Sequence, residues 1–523
     1  MAVPTAASET DGETTRPVGR RQRAVLLFSV MIISICALIY ELVVGTLSSY
    51  LLGDSVTQFS VTIGLFLFAM GLGASLSRRI LRAELHAFIV VEILTGVFGG
   101  CAAAALYATY ALEPAFYQPA MIVLVLAIGT CIGLEIPLLT RIVADRADLA
   151  TALADVLTID YVGALLGSLA FPLILLPLLG VNQTGFVTGL FNILVAAVVV
   201  HTFRDRLPRT ARRGLWTAAA LAATLMITGA AASTWWVDTF EQRMYDDLIV
   251  WRKQSAYQRL VITRQQQDVR LFLDGNLQFS SRDEYRYHEV LVHPVMAAAH
   301  SHARVLILGG GDGLAVREVL KYPDVEQVTL VDLDPAMTDM ARGYAPVRRL
   351  NGDSLADPRV RIVHQDAFTF AQRDGGFYSV IIADLPDPNT EALSKLYSRQ
   401  FYTFLRYRLE PDGAFVTQAT SPYFVRTAFW MIEHTVADAG WLAKPLRVQV
   451  PSFGEWGFVL ASVGHPPVVR PLPTEIPRRF LTPEVLASTT VFDPDIAEVP
   501  TGVNTLDRPL LNRAYQQGWQ NWD

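Results

Sequence analysis

Long apolar stretches are the feature that most constrains how this chain folds. Each is about 20 residues or more, the length that an α-helix needs to cross the hydrocarbon core of a bilayer. The first lacks the short apolar core and small-residue cleavage site that are typical of a signal peptide. The sequence therefore predicts a multi-pass α-helical membrane bundle over residues 24–236. Seven such stretches lie at 24–44, 56–77, 86–112, 119–140, 156–179, 183–203 and 214–234.

Arginines are unevenly distributed between these stretches. They precede the first stretch and follow the second, fourth and sixth, whereas the turns at 50–56 and 180–183 contain no basic residue. The positive-inside rule then places the N-terminus, a segment over 1–23 that we expect to be disordered, in the cytoplasm. Seven crossings would leave residues 240–523 outside. The arginines are Arg16, Arg20, Arg21, Arg23, Arg78, Arg79, Arg82, Arg141, Arg146, Arg204, Arg206, Arg209, Arg212 and Arg213.

Four carboxylates lie within the apolar stretches: Glu41, Glu92, Glu135 and Asp160. A charge in a bilayer is costly, so such groups usually face a bundle interior or a polar path. Two interpretations follow. The carboxylates pair with helix-end arginines or are protonated and structural, or they line a path for a cation or a polyamine.

The second half of the chain has the pattern of an α/β protein. Residues 257–280 predict β-strands within a small β-hairpin subdomain at 245–300. Short strand and helix patterns then alternate over 301–465, which is typical of a doubly wound, mostly parallel, Rossmann-like sheet. We expect the proline-rich tail, residues 466–523, to wrap around the surface.

Composition excludes several kinds of site and partner. All three cysteines precede residue 132, so the second half has neither a disulfide framework nor a cysteine-based metal site. His293, His300 and His302 lack metal-ligand spacing, and we predict no metal. A net charge of −6 makes nucleic acid an unsuitable partner.

A glycine-rich turn, residues 309–313, ends one predicted strand and begins a helix. Such a turn lets a ligand approach the backbone closely. Acidic residues follow the next strands: Asp332 can accept the ribose hydroxyls of a nucleoside, and Asp366 is placed to contact an adenine amino group. Together these features indicate a nucleoside site.

Asp312 lies inside the glycine-rich turn and narrows the choice of nucleoside. A carboxylate there repels the pyrophosphate of a dinucleotide and the carboxylate of S-adenosylmethionine, and it attracts an ammonium group. Decarboxylated S-adenosylmethionine, which carries a bare aminopropyl chain, fits better.

A set of motifs over roughly 245–463 resembles the spermidine synthase family, and the apolar half resembles the membrane-bound bacterial branch of that family. The motifs are the glycine-rich run 304–318, DEYRYHE at 283–289, LDGNLQ at 273–278, Tyr257-Gln258 and DxxDP at 384–388.

The resemblance implies a role for residues at the amine end of the site. Asp384 is the catalytic acid–base residue, and Asp387 holds the distal amine of the acceptor. Asp312 and His288 contact the polyamine or aminopropyl end. Soluble relatives carry a tyrosine before the closing strand that lines the amine pocket, whereas the run 450–456 has none, so the motifs leave the identity of the acceptor amine open.

The resemblance also implies a nucleoside end, where the strand register leaves the choice between Gln254 and Gln258 open. Residues 389–400 would form a lid. The nucleoside residues are Asp332 at the ribose, Asp366 with Ala367 at the adenine, and Gln254, Tyr257 or Gln258 near them.

The implied reaction transfers an aminopropyl group from decarboxylated S-adenosylmethionine, a co-substrate, to a primary amine. Putrescine would give spermidine and methylthioadenosine, with no cofactor. The alternatives are a methyltransferase, a polyamine transporter with a vestigial synthase domain, and a purely structural membrane protein. We expect small polyamine and nucleoside substrates, a lipid bilayer and a homo-oligomer as partners.

The resemblance further implies that the co-substrate is made in the cytoplasm. We therefore expect a bacterial inner-membrane protein whose catalytic domain is cytoplasmic. That placement requires one stretch to be misassigned. The weakest is 214–234, which is rich in alanine and threonine and could lie in the interface or turn back. The other possibility is a domain that faces outward.

Overall fold

A computed structural model describes residues 19–52, 55–80, 83–143, 149–373 and 376–522. The chain divides into two compact units between Met244 and Tyr245. Most of the segment expected to be disordered lies outside the described residues, as do Arg16, Arg82 and Arg146. Its described end, from Arg20, already belongs to a helix, so residues 20–23 are not disordered.

The described part of unit 1 is helical throughout, as the apolar pattern predicts. Two 3₁₀ turns, Ser77–Arg79 and Pro114–Phe116, precede the third and fourth helices, and a π-helical turn, Phe171–Leu175, joins the fifth to the sixth. The helices are α1 (Arg20–Leu52), α2 (Ser55–Leu76), α3 (Glu84–Leu112), α4 (Tyr117–Val143), α5 (Leu149–Ala170), α6 (Leu176–Thr202) and α7 (Arg209–Arg243).

Six of the described helical stretches are long and apolar enough to cross a membrane. One of them, Ala150–Thr202, has 53 residues and contains both α5 and α6. That stretch would be about 80 Å long, far beyond a hydrocarbon core of about 30 Å. Gly180 interrupts it with φ 70° and ψ 177°. Ser34 of α1 hydrogen-bonds Asp160 of α5, and Cys36, half a turn further along α1, donates to the Thr188 carbonyl of α6. Asp160 and Thr188, which lie on either side of Gly180 in sequence, thus contact the same turn of α1. The chain therefore reverses its direction between α5 and α6.

Helix α7 runs antiparallel to α6. A Cβ atom added at Gly189 would lie 2.7 Å from Met226 Sδ, and one added at Gly229 would lie 2.4 Å from the Phe186 ring. Positions further along α7 therefore meet earlier positions of α6. The alternative that 214–234 lies flat in an interface or turns back does not fit this packing. The chain leaves the bundle at the end opposite to the start of α1.

Three carboxylates of unit 1, of which Glu92 and Glu135 are buried and Asp160 is half-buried, accept hydrogen bonds from uncharged side chains. Within the described ranges, none of these three carboxylates forms an ion pair with an arginine. Pairing with helix-end arginines therefore does not account for carboxylates inside the apolar helices. Protonation and a polar path stay as the two interpretations. The pairs are Glu92 with Asn192 (3.0 Å), Glu135 with Thr95 (3.0 Å), and Asp160 with Ser34.

Unit 2 begins with a four-stranded antiparallel sheet, which is larger than the expected hairpin. Its first strand precedes residue 257, at which the predicted strands begin. The strands are β1 (Leu248–Gln254), β2 (Arg259–Gln265), β3 (Asp268–Leu273) and β4 (Asn276–Ser280).

The main sheet of unit 2 has seven strands in the order β10-β11-β9-β8-β5-β6-β7. The five strands from β9 to β7 are parallel, and β11 and β10 complete one edge in antiparallel pairing, as predicted for the late strands. The strands are β5 (Arg304–Gly309), β6 (Gln327–Asp332), β7 (Val360–His364), β8 (Tyr378–Asp384), β9 (Leu409–Gln418), β10 (Leu442–Val450) and β11 (Gly454–Ser462).

Helices cover both faces of this sheet, which explains the continuous apolar runs of its central strands. Val305 and Ile307 point into one core and Leu306 and Leu308 into the other. The helices are α8 (Glu284–Ala298), α9 (Leu314–Val319), α10 (Pro335–Gly343), α11 (Ala345–Leu350), α12 (Ala367–Gln372), α13 (Glu391–Ser394), α14 (Arg399–Arg406), α15 (Arg426–Asp438), α16 (Pro483–Ser488) and α17 (Leu510–Trp519).

The C-terminal tail does more than wrap the surface. Leu511 of α17 is 0% exposed and belongs to the second core. The proline-rich composition concealed this helix, because the apolar side chains that bury it are few and widely spaced.

Gly309 allows β5 and β8 to end side by side. Its φ is +79°, and a Cβ atom there would lie 2.0 Å from the Asp384 carbonyl oxygen. Gly275 has a similar φ of +82° but nothing within 4 Å of the added atom.

Replacing these two glycines by alanine separates backbone strain from the clash. Gly275→Ala should cost about 1–2 kcal/mol, the cost of a left-handed alanine. Gly309→Ala should cost about 2–5 kcal/mol because overpacking adds to that strain. The free energies of unfolding of the two full-length variants in detergent check this. Equal losses would show that the contact with Asp384 carries no energy.

Candidate active site

The carboxyl ends of four parallel strands bring four aspartates to one edge of the main sheet. Asp312 and Asp366 follow β5 and β7, and Asp332 and Asp384 end β6 and β8. Strand β5 lies between β6 and β8. The chain first adds β6 and β7 on one side of β5 and then crosses to add β8 on the other side. Ligands of open α/β sheets bind at such a switch point.

Asp332 packs directly against the glycine-rich turn. A Cβ atom at Gly311 would lie 2.3 Å from Asp332 Oδ2, so only glycine allows this approach. The backbone N–H of Asp334 donates to Oδ1 at 2.8 Å. Burial raises the pKa of Asp332 to about 6, although the backbone hydrogen bonds from Asp334 and Gly311 lower it.

Asp384 is held by a tyrosine of α8. The hydroxyl of Tyr287 donates to Asp384 Oδ1 at 2.7 Å. Burial raises the pKa of Asp384, while the charge of His288 and the Tyr287 hydrogen bond act in the opposite direction. Asp384 is therefore a more basic carboxylate than an exposed one.

His288 belongs to a buried chain of charges. Its Nδ1 lies 2.9 Å from Glu284 Oε2, and Arg317 contacts both oxygens of Glu284 at 2.9 Å. Burial lowers the pKa of His288, but the hydrogen bond and charge of Glu284 outweigh it and raise that pKa to about 9. His288 therefore carries a positive charge at neutral pH.

Asp312 is only 7% exposed, and its Oδ1 accepts the N–H of Leu314 at 2.9 Å. Burial raises the pKa of Asp312 to about 6, although the charge of His288 lowers it. The charge of His288 thus acts on two carboxylates at once.

Asp387 accepts hydrogen bonds from two uncharged side chains. Tyr515 donates to Oδ2 at 2.9 Å, and Gln418 donates to Oδ1 at 3.4 Å. Burial raises the pKa of Asp387 to about 6 against these bonds.

Asp366 already uses both of its oxygens. Oδ1 accepts the N–H of Thr369 at 2.8 Å as the N-cap of α12, and Oδ2 pairs with Lys395 at 2.8 Å. Burial raises the pKa of Asp366, but the Lys395 ammonium and the cap outweigh it and lower that pKa. Ala367, the first residue of α12, is buried beside it.

The three candidate nucleoside contacts at the end of β1 and in the β1–β2 turn differ in exposure and in hydrogen-bond partners. Gln258 Nε2 donates to Asp334 Oδ2 at 3.1 Å, close to Asp332. Gln254 is exposed and bonds only to the neighbouring Ser255 carbonyl among the described contacts. Tyr257 is 54% exposed. The geometry favours Gln258 over Gln254 as the nucleoside contact.

The histidines excluded as metal ligands have other partners: His293 contacts Tyr322 and Glu318, and His302 contacts Asp324. Within the described ranges, no group of three or more His, Cys, Asp or Glu side chains is arranged to hold a metal ion.

Sequence reasoning missed several residues of this site. Tyr287 and Glu284 lie in the motif that contains His288, and their helical spacing could have identified them. Lys395 lies in the predicted lid. Gln418 and Tyr515 gave no local signal, since they reach Asp387 from distant parts of the chain.

The fold and the acidic edge define an α/β enzyme unit of the nucleoside-binding type. Comparison with known proteins narrows the class. The family model of the spermine/spermidine synthase domain matches residues 284–470. Polyamine aminopropyltransferase 1 of Ralstonia nicotianae is 43% identical over 522 residues, which cover 99% of this chain and 99% of the relative.

A further relative points to the same group, and one solved structure is similar to part of the chain. The polyamine aminopropyltransferase of Leptospira interrogans is 42% identical over 94% of this chain and 98% of its own length. A crystal structure of spermidine synthase in complex with the transition state analogue AdoDATO is 26% identical, with a TM-score of 0.44, and covers 47% of this chain and 86% of that chain. The chain belongs to the polyamine aminopropyltransferase family. The predicted family and enzyme class are thereby confirmed.

Removing the hydroxyl of Tyr287 should shift the pH dependence of turnover. That hydroxyl stabilises the ionised form of Asp384, so Tyr287→Phe raises the pKa of Asp384. Activity that needs the carboxylate is lost as pH falls through this pKa. The acid limb of the pH–kcat profile should therefore move to higher pH.

Tyr285→Phe on the same helix is the matched control, because the Tyr285 ring stacks against Arg479 rather than Asp384. An unchanged acid limb in Tyr287→Phe would show that the hydrogen bond to Asp384 does not influence the titrating group.

Proposed function

We propose that the chain transfers the aminopropyl group of decarboxylated S-adenosylmethionine to putrescine, giving spermidine and methylthioadenosine. One observation carries this proposal. Asp312, which is buried, and Asp384 and Asp387, which are half-buried, lie at the carboxyl ends of the neighbouring strands β5 and β8, and none has a lysine or arginine partner in the described part of the chain. Such a group of carboxylates suits ligands that carry ammonium groups.

In the proposed reaction, the lone pair of a neutral primary amine attacks the aminopropyl methylene next to the sulfonium. The carbon–sulfur bond breaks, and its electrons leave with sulfur in neutral methylthioadenosine. The product is a secondary ammonium, which loses one proton to become a neutral secondary amine. The sulfonium is already activated, so the protein mainly orients the two partners and accepts that proton.

Asp384 is the proposed base. An alkyl ammonium has a pKa about 6 units above that of aspartate, a gap of roughly 8 kcal/mol. Burial raises the pKa of Asp384 and so reduces the gap from one side. Desolvation of the amine reduces it from the other.

We propose different roles for Asp312 and His288. The Asp312 carboxylate receives the ammonium of the aminopropyl chain. His288, whose pKa is about 9, is cationic and so is unsuited to contact an ammonium directly. Its charge keeps Asp312 and Asp384 ionised, and it acts through them.

Asp387 is the proposed partner of the distal ammonium of the acceptor. The segment 389–400, which contains α13, is the proposed lid. Its Lys395 pairs with Asp366, so the lid and the proposed adenine site are linked directly. An adenine amino group would approach the oxygen that now accepts from Lys395.

The remaining nucleoside contacts are proposed from position. Asp332 would accept the ribose hydroxyls, and Ala367 would line the adenine beside Asp366. Gln258 is the preferred contact near the ribose because it already hydrogen-bonds Asp334. Tyr257 and Gln254, both exposed, would approach only a ligand that extends over the β1–β2 turn.

Two rival functions give different assay results. A methyltransferase would use S-adenosylmethionine and release S-adenosylhomocysteine, whereas the proposed enzyme needs the decarboxylated form and releases methylthioadenosine. A transporter with a vestigial domain would release neither product. Chromatography of the nucleoside products of the purified chain separates all three.

Asp384→Asn should lower kcat by about 10²–10⁴, as expected for loss of a positioned base. Binding of the decarboxylated nucleoside, measured by calorimetry, should stay within about threefold. Asp339→Asn, an exposed change on α10, is the control and should leave both values unchanged. Near-normal turnover of Asp384→Asn would reject Asp384 as the base.

We propose that unit 1 spans a bacterial inner membrane, with the chain as a homo-oligomer in the lipid bilayer. The apolar lengths of its helices support this. The catalytic unit is placed in the cytoplasm, because an aminopropyltransferase requires a co-substrate that the family resemblance locates there.

A second placement is favoured by a specific observation. The described arginines that flank the helices, including Arg20, Arg78, Arg141 and Arg209, lie at the same end of the bundle. The antiparallel α7 takes the chain to the other end. If the arginine-rich end faces the cytoplasm, the catalytic unit faces outward.

Thiol labelling decides between the two placements. Cys36, Cys101 and Cys131 are first replaced by alanine, and Ser301→Cys then presents an exposed thiol on the catalytic unit. The cytoplasmic placement predicts labelling by a membrane-impermeant reagent only after lysis. Strong labelling of intact cells would contradict it.

Single cysteines at the two ends of the bundle provide the internal standards. Asp205→Cys lies at the arginine-rich end and Glu113→Cys at the other, and both positions are exposed. Exactly one of them should label in intact cells if α1–α7 cross the membrane.

A further inference from the structure

The C-terminal helix contributes a side chain to the acceptor end of the site. Tyr515 of α17 is 7% exposed, and its hydroxyl donates to Asp387 Oδ2 at 2.9 Å. The helix is fixed on both sides of this residue: Leu511 is buried in the core, and Trp519 stacks on Phe424 with ring centroids 5.0 Å apart. Tyr515 is thus held rigidly against Asp387.

The segment before α17 is fastened to the proposed lid. Asn504, 1% exposed, donates from Nδ2 to the carbonyls of Ser394 and Tyr397 at 2.9 and 3.1 Å. Its Oδ1 accepts the N–H of Leu511 at 3.3 Å. The tail, the lid and Asp387 therefore form one connected structure.

We propose that Tyr515 is a positioning residue for the acceptor amine, which it serves by orienting the carboxylate of Asp387 toward the distal ammonium. This proposal rests on the proposed function. A carboxylate has about four lone-pair directions. Tyr515 occupies one on Oδ2, and Gln418 makes a long contact with Oδ1, so the remaining directions are left for the ammonium.

The hydrogen bond also favours the ionised form of Asp387. Burial raises the pKa of Asp387 to about 6, and the Tyr515 hydroxyl opposes this rise. The titratable groups that act with Asp387 are the phenols of Tyr287, Tyr397 and Tyr515, from α8, the lid and α17. Burial raises the pKa of each phenol well above its ordinary range, so all three stay neutral, and among these four groups Asp387 is the one that titrates near pH 6. Asp312, which serves the aminopropyl end, has a similar pKa and is untouched by Tyr515.

Tyr515→Phe keeps the ring and removes only the donor. We expect KM for putrescine to rise about tenfold, the loss of one hydrogen bond to a charged group. KM for decarboxylated S-adenosylmethionine should change less than twofold. Loss of the donor raises the pKa of Asp387, so the acid limb of kcat/KM for putrescine should move to higher pH.

A second variant tests the same bond in the opposite direction. Difluorotyrosine at position 515 has nearly the same shape but a more acidic hydroxyl that donates more strongly. The acid limb should then move to lower pH. This comparison does not depend on any loss of packing.

Tyr423→Phe is the matched control. Its ring packs against Trp522 of the same terminal segment and against Phe424, away from Asp387. It should leave both KM values and the pH profile unchanged. Melting temperatures of all variants report folding separately.

The possible outcomes are distinct. Equal rises in both KM values, or a lower melting temperature with an unchanged acid limb, would reject the positioning role and make Tyr515 a packing residue. A wild-type chain that releases no methylthioadenosine would reject the proposed function itself, whatever the behaviour of Tyr515.

Discussion

Buried and half-buried carboxylates that lie at the edge of the main sheet, without lysine or arginine partners in the described part of the chain, impose a cost that the surrounding structure must offset. An isolated buried charge is strongly unfavourable, and the usual response is a raised pKa. Asp312, Asp332 and Asp387 all show it, with pKa values of about 6. At neutral pH these groups are still ionised, but by a modest margin that depends on each hydrogen bond they receive.

Helix α8 supplies much of that compensation through its periodicity. Glu284, Tyr287 and His288 are separated by three and four residues, so they lie on one face of the helix. Glu284 keeps His288 charged, His288 acts on Asp312 and Asp384, and Tyr287 binds Asp384. A single helical face therefore sets the protonation of both ends of the proposed reaction centre.

Parts of this arrangement could be predicted from the sequence because topology forces them. Asp332 and Asp384 end the two parallel strands on either side of β5, and parallel strands of one sheet bring their carboxyl ends to the same edge. The glycine-rich turn likewise follows from its place after β5. The seven helices of unit 1 followed from hydropathy alone, although the idea that 214–234 does not traverse the bundle was wrong.

Other parts depend on contacts between distant segments, which local patterns do not encode. Tyr515 reaches Asp387 only because α17 packs into the core, and the proline-rich sequence before it gave no sign of that helix. The choice between Gln254 and Gln258 depended on the strand register and the turn between β1 and β2. In the folded chain it is Gln258 that donates to Asp334.

The charges of the site and of the proposed substrates balance in a way that links these observations. Decarboxylated S-adenosylmethionine carries a sulfonium and an ammonium, and an acceptor with its attacking amine neutral carries one more ammonium. Three positive charges thus face Asp312, Asp384 and Asp387. Behind them, the positive charges of Arg317 and His288 are matched by Glu284 and Glu318, and Glu318 also pairs with Lys321 at the surface. In the proposed reaction, transfer removes the sulfonium charge and delivers a proton to Asp384, so charge moves within the site and the sum stays the same. The hydrogen bonds from Tyr287, Leu314 and Tyr515 that hold these carboxylates are in place before any substrate binds, which is what electrostatic preorganisation requires.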